Sequence, residues 1–301
     1  FEIAIYKDQA EYLRIALPNL NFINTQRVKL TQTFIINPSK FKGKNTLLNL
    51  LSHFYNQVNF SINNEQERNN NSFNFNPFDI NDDKLLGLNY SLRNRLYFNK
   101  NLDKFSTIFT FAKSKNKQLF QIGTQEFNTN LHQIEFKHKL SKFWLLDIKS
   151  NQSKDQVNTE NFSNQNYKIT SLEIAPKLTF EYSKNHQFSF YYSFKDKKND
   201  IASFETLQQQ KLGVSYYLKS KKNSVFRAEF NLFNNNFTGN NNSPVAYQML
   251  EGLQSGKNYT WSMIFQQKVN SFININLNYL ARKSESSRII HIGSVQLRAD
   301  F

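Results

Sequence analysis

The chain is expected to fold as an all-β, transmembrane, antiparallel up-and-down β-barrel of about 14 strands. Three observations lead there. Apolar and polar residues alternate with period two along the 301 residues, and no 3.6-residue pattern outlasts three turns. Connections between the apolar stripes alternate short and long, the pattern of short periplasmic turns and long outer loops. The last stripe runs Ile289, His291, Gly293, Val295, Leu297, Ala299, Phe301. Such a strand has a role where it closes a barrel and leaves no edge in lipid.

The strands follow in order. A weak stripe at Leu13, Ile15 and Leu17 opens the set, and Val28, Leu30, Phe34 and Ile36 form the second. Val58/Phe60/Ile62 come next, then Leu86/Leu88/Tyr90/Leu92/Leu96/Phe98, with Arg93 and Arg95 on the opposite side. Phe105/Phe109/Phe111, Ile134/Phe136/Leu140 and Trp144/Leu146/Ile148 continue the series. Leu172, Ile174, Leu178, Phe180 and Tyr182 oppose Glu173, Lys177 and Glu181. Phe188/Phe190/Tyr192/Phe194, Leu212/Val214/Tyr216/Leu218 and Phe226/Ala228/Phe230/Leu232 follow. Tyr259/Trp261/Met263/Phe265 and Ile273/Ile275/Leu277/Tyr279/Ala281 precede the final stripe. Soluble sandwiches alternate too. The length of these stripes and their aromatic ends favour a membrane wall with interfacial girdles.

Short connections are expected at 100–103, 141–142, 184–186, 220–222 and 269–271. Long ones, rich in Asn, Asp and Ser, are expected at 67–83, 115–128, 154–167, 198–205 and 236–257. Segment 118–126 could instead be a strand pair reaching into its loop. Segment 39–51 breaks the pattern: it is long where a turn is due. Its Leu47, Leu48, Leu50 and Leu51 suggest a short interfacial helix. Loop 236–257 carries Phe237, Val245, Tyr247, Met249 and Leu250, more apolar surface than a loop in water keeps, so it is expected to fold onto the barrel rim or meet another chain.

Composition narrows the function. There is no cysteine, which excludes disulfides, a thiolate nucleophile and a Cys-based metal site. No apolar run reaches the ~18–20 residues of a membrane helix. Mean hydropathy is −0.63, which a barrel tolerates because only alternate residues face lipid. The net charge of +15 would suit nucleic acid or an anionic surface. The Lys and Arg residues are spread along strands and turns, so no nucleic-acid partner is expected. Part of the excess reads as compositional bias, and the functional alternative is attraction to lipopolysaccharide phosphates or anionic solutes. The chain opens on Phe1, without initiator Met or signal peptide, and reads as one barrel domain over 1–301, a mature or truncated product or the C-terminal part of something longer.

No catalytic motif emerges. The five histidines, His53, His132, His138, His186 and His291, show no zinc spacing. A lipase-type His and Ser two apart on a lipid-facing strand fails because Gly293 follows His291. Asp79, Asp82 and Asp83 lack calcium-loop spacing and its central Gly, and read as a solvated or lipopolysaccharide-bridging loop. No cofactor is expected. The polar faces carry Arg93, Arg95, Lys137, Lys211, Arg227, Lys268, Arg282, Arg288 and Arg298, interspersed with Glu135, Glu173, Glu181 and Glu229. They either stiffen the lumen by cross-strand ion pairs, or make it favour anions or cradle a segment of a partner. Val295, Leu297, Ala299 and Phe301 are the barrel-closing residues.

The last fifty residues carry Gly252-Leu253-Gln254, Gly256-Lys257-Asn258-Tyr259-Thr260-Trp261, Asn276-Leu277-Asn278-Tyr279 and Arg282-Lys283-Ser284. They end on His291-Ile292-Gly293-Ser294-Val295-Gln296-Leu297-Arg298-Ala299-Asp300-Phe301. This tail resembles the C-terminal barrels of Bacteroidota outer-membrane proteins. The resemblance implies a multi-pass barrel in the bacterial outer membrane, following periplasmic domains or sitting among partner proteins. The expected function is a non-enzymatic membrane anchor or conduit within a larger assembly, with outer-membrane lipid, lipopolysaccharide and protein partners. The alternatives are a stand-alone diffusion pore of mild anion preference and an outer-membrane lipase-type enzyme.

Overall fold

The computed structural model describes residues 24–41, 43, 45–68, 73–100, 104–120, 123–201, 204–220, 224–270 and 272–299. Among them the period-two stripes become thirteen strands. These are β1 (Thr25–Ile36), β2 (Phe54–Glu67), β3 (Leu85–Phe98), β4 (Phe105–Phe120), β5 (Gly123–Lys139), β6 (Trp144–Thr159), β7 (Tyr167–Ser183), β8 (His186–Asn199), β9 (Thr206–Lys219), β10 (Ser224–Thr238), β11 (Gly256–Lys268), β12 (Ile273–Ser284) and β13 (Ile290–Ala299). Each pairs antiparallel with its sequence neighbour, in one sheet ordered β1 to β13. This is the up-and-down meander of an outer-membrane barrel.

The weak opening stripe at Leu13, Ile15 and Leu17 lies outside the described residues, as does Phe301. With thirteen antiparallel strands, the edge strands β1 and β13 run in the same direction. A strand between them, antiparallel to both, would bring the number to fourteen.

The stripes line up in register and form an apolar belt. Phe109, Ile174, Phe190, Leu212, Phe230 and Met263 all point to one face and are 43–57% exposed. So many large apolar side chains on one wall mark a lipid-facing surface. The belt has a sharp upper edge. Going up the outward face, Phe111 gives way to Lys113, Ile148 to Ser150, Leu172 to Thr170 and Phe194 to Asp196. On later strands Leu212 gives way to Gln210, Leu232 to Asn234, Tyr259 to Lys257 and Ala281 to Lys283. A tilted strand crosses the bilayer in ~9–11 residues. Several strands here are longer, with β5 and β7 each spanning 17 residues. The excess stands above the belt as a collar whose outward face is mostly polar.

That collar corrects two expected loops. Residues 115–120 and 123–128 are strand and pair with each other, so the strand-pair reading of 118–126 holds and the long loop 115–128 does not. Likewise β6 continues to Thr159, inside the expected loop 154–167. The expected helix in 39–51 is present as α1 (Thr46–Leu51), with Leu47, Leu50 and Leu51 exposed. The stripe expected to include Leu86 shifts. A bulge at Glu65/Gln66 sets Leu85 opposite Gln66, and Leu85 is the residue buried with Leu88 and Ile62.

The apolar stripes of β2 and β3 run higher than elsewhere, into the collar. Loop 73–84 lies over them from outside. Phe78 stacks on Phe60 at 5.7 Å, and the side-chain amides of Asn64 and Gln66 donate to the Asp79 carbonyl. The loop thus keeps water from Ile62, Leu85 and Leu88 above the bilayer.

Candidate functional site in the lumen

The polar face of the sheet turns inward, since the apolar face meets lipid. Its upper half, from β6 to β10, is covered by the connection between β10 and β11. Ser243 starts a short helix there, α2 (Pro244–Met249). Its hydroxyl accepts the Ala246 amide, and Pro244 sits in the first turn, where no donor is needed. Val245, Ala246, Met249 and Leu250 are buried against Ile169 and Leu207, with Tyr167 and Phe237 packed beside them. The loop expected to fold onto the rim therefore does so, on the lumen side. Tyr247 alone of its expected apolar residues stays exposed.

Charge locks the apolar plug. Glu251, just after α2, takes a left-handed conformation with φ +57°, a strained position for a residue with Cβ. The geometry brings its carboxylate to Lys197 Nζ at 2.8 Å and Lys195 Nζ at 2.9 Å. Lys197 also donates to the Met249 carbonyl at 2.8 Å, and Lys195 reaches Glu173 at 3.9 Å. Beneath lies a cavity of about 300 Å³, lined among others by Asp155, Ser171, Glu173, Lys195 and Gln248.

Burial pushes the Glu251 carboxyl up, but Lys197 and Lys195 outweigh it and hold the pKa at about 2, below the ordinary 4.5. Because the pKa falls on docking, this lock is complete above about pH 4.5 and is lost as pH drops toward 2. The chain has no cysteine, so two engineered ones label cleanly. Nitroxides at Tyr247→Cys and Asn158→Cys should report a single short distance at neutral pH that broadens between about pH 4.5 and 2. In Glu251→Ala the broadening should already be present at neutral pH.

Lower in the lumen, Tyr191 lies across Gly213. Its hydroxyl donates to Glu229 Oε1 at 2.7 Å and bonds Asn231 Oδ1. Tyr191, Gly213 and Asn231 are one register row on β8, β9 and β10. The ring can cross the middle strand because that residue has no side chain. Lys211 Nζ sits 5.1 Å above the Tyr191 ring, and the Arg227 guanidinium 5.2 Å from Tyr217. A cavity of about 450 Å³ opens beside Tyr217, Arg227 and Glu229.

The expected basic set divides. Arg93, Arg95, Lys137, Lys211, Arg227, Lys268, Arg282 and Arg298 fall on the lumen face by register. Arg288 does not: it lies in the turn before β13. The eight do not converge. Lys137 pairs with Glu135 at 2.7 Å, and Arg282 donates to the Gly252 carbonyl at 3.2 Å, tying β12 to the plug loop. The lysines that form the densest network, Lys195 and Lys197, were outside the set. Extending the Phe188–Phe194 alternation past Phe194 would have found them. Val295, Leu297 and Ala299 lie on the outward face of the edge strand β13, all exposed.

The aspartates of loop 73–84 do not gather. Asp79 Oδ2 accepts from Asn74 at 2.6 Å and Asp82 pairs with Lys117 at 3.6 Å. Among the described residues no group of three or more His, Cys, Asp or Glu side chains converges. His132 and His138 stand outward beside Phe111 and Phe136, and His291 Nδ1 is 2.8 Å from the Tyr279 hydroxyl.

No protein-family model and no curated protein sequence matches the chain. Among solved structures it is similar to a loop L8 deletion mutant of OmpT, an outer membrane protein of Vibrio cholerae. The TM-score is 0.42 and the identity 6%, over 91% of this chain and 97% of that one. It is also similar to the translocator domain of autotransporter NalP from Neisseria meningitidis, with a TM-score of 0.30 and 8% identity over 82% of each. The assignment as a membrane barrel rests on the strand order and the belt.

Proposed function

We propose that this chain is a non-enzymatic outer-membrane barrel that anchors, or provides a gated conduit for, a larger outer-membrane assembly. The observation that carries this reading is the plug. On its β6–β10 side the upper lumen is covered by a loop packed on Ile169 and Leu207 and held by a three-residue charge lock, which a free diffusion pore has no need to build. The resemblance of the last fifty residues to Bacteroidota barrels supports the assembly part of the reading.

Planar-bilayer conductance of the isolated barrel tests it. Low conductance is expected, rising severalfold when 238–250 is deleted and partly when Met249→Asp places a charge in the plug core. A large, stable conductance in the intact protein would instead favour the diffusion pore. Anion preference would then be probed first at Arg93, Arg95 and Arg227.

A further inference from the structure

We propose that Lys113, Lys154 and Lys198 form an outward-facing row that binds the phosphates of outer-leaflet lipopolysaccharide. The row is a fact of register. Lys113 on β4 faces Asn130 on β5, Asn130 faces Lys154 on β6, Lys154 faces Thr170 on β7, and Thr170 faces Lys198 on β8. A lysine recurs on every second strand, so neighbours stand roughly 10 Å apart along the wall. The residues between are short and polar and leave the ammonium groups room.

The height of the row identifies the ligand. Lys113 follows directly above Phe111 and opens a run of three lysines, Lys113, Lys115 and Lys117, on the outward face of β4 below Leu119. In the other direction the same row continues into Leu92 and Phe60, where Phe78 stacks. Lys154 stands above Ile148 across Ser150 and Gln152, and Lys198 above Phe194 across Asp196, so the row lies in the polar zone just above the belt, at head-group height. This is the end that carries the long loops, hence the outer leaflet.

Pairing distinguishes these lysines from structural ones. On the same face of β4, Lys115 is held by Glu126 at 3.3 Å and Lys117 by Asp82 at 3.6 Å. Lys113, Lys154 and Lys198 are exposed and have no ion-pair partner among the described residues. Two carboxylates share that stretch of wall: Asp196, one outward step below Lys198, and Asp200, just past it, which accepts from the Thr170 hydroxyl at 2.8 Å; neither makes an ion pair with the row among the described residues. Unpaired cations at a head-group boundary complement anionic head groups. Part of the +15 charge thus has a job that composition alone does not explain.

The inference rests on the membrane reading and is independent of whether the lumen is plugged. The barrel is folded in a neutral detergent, folding is checked by its heat-modifiable gel shift, and lipid binding is measured by native mass spectrometry. The probes are lipid A and its dephosphorylated form. Each lysine near an anionic surface contributes a factor of about five, so three give on the order of a hundredfold. Wild type should prefer phosphorylated lipid A by up to that factor. Lys113→Gln/Lys154→Gln/Lys198→Gln should lose most of the preference, and Lys154→Gln alone part of it. Lumen-facing Lys29→Gln/Lys149→Gln/Lys177→Gln should keep it. Equal binding of the two lipids by folded wild type, an unchanged preference in the triple variant, or equally effective competition by free inorganic phosphate would each overturn the proposal.

Discussion

Leu277→Arg should destabilise the folded barrel by ~2–4 kcal/mol, while Asn276→Arg, one residue away, should cost far less. Leu277 is the middle residue of the outward stripe of β12, paired with Phe265 on one side and Val295 on the other. It is 38% exposed, and what it is exposed to is acyl chain. An arginine there must snorkel or drag water into the bilayer. Asn276 lies on the opposite face, in register with Gln266 and Gln296, where a guanidinium finds water and polar neighbours. Reversible urea unfolding in lipid vesicles measures both costs. Equal costs, or the reverse order, would mean that the face assignment of β12 is inverted.

The belt is legible in the sequence because lipid on one side and a polar lumen on the other write contrast into every second residue. Phe226, Ala228, Phe230 and Leu232 against Arg227, Glu229 and Asn231 leave one reading. Where the contrast ends, legibility ends too. Lys113 to Lys117 and Gln152 to Gln156 are strand in the collar, but the residues of both faces are polar there. Polar residues on both sides look like loop. Strand identity in the collar comes from continuing the ladder below it, which no local window shows.

The plug was half legible. Val245, Met249 and Leu250 betrayed a loop that avoids water, but the apolar partners Ile169 and Leu207 belong to strands distant in sequence. The lock was hidden for another reason. Glu251 is a lone acid in a turn, and Lys195 and Lys197 sit in a run of mixed charge that reads as solvated. Only the antiparallel register of β7, β8 and β9 brings them beneath one loop. The charged row on the outer wall is likewise invisible along the chain, since its three lysines are some forty residues apart and meet only through cross-strand pairing.

Gly213 is the position where the smallest change should be felt most. A Cβ built there would fall 2.1 Å from Tyr191 Cε2 and 2.6 Å from Asn231 Oδ1. The φ angle is not unusual, so the requirement is for space, not for backbone freedom. Gly213→Ala should therefore lift the Tyr191 ring from β9 and pull its hydroxyl from Glu229 and Asn231. Overpacking of this kind costs ~1–3 kcal/mol, and the loss of a hydrogen bond to a charged group adds to it. Ordinarily Gly to Ala within a strand is mildly favourable, because it lowers the entropy of the unfolded chain. The expected sign is thus opposite to the generic one. A double-mutant cycle isolates the cause. Tyr191→Ala alone should destabilise by removing the hydrogen bonds, but in that background Gly213→Ala should be neutral or stabilising, a coupling of more than ~1 kcal/mol. Additive costs in the cycle would show that the crossing ring is not what demands a glycine on β9.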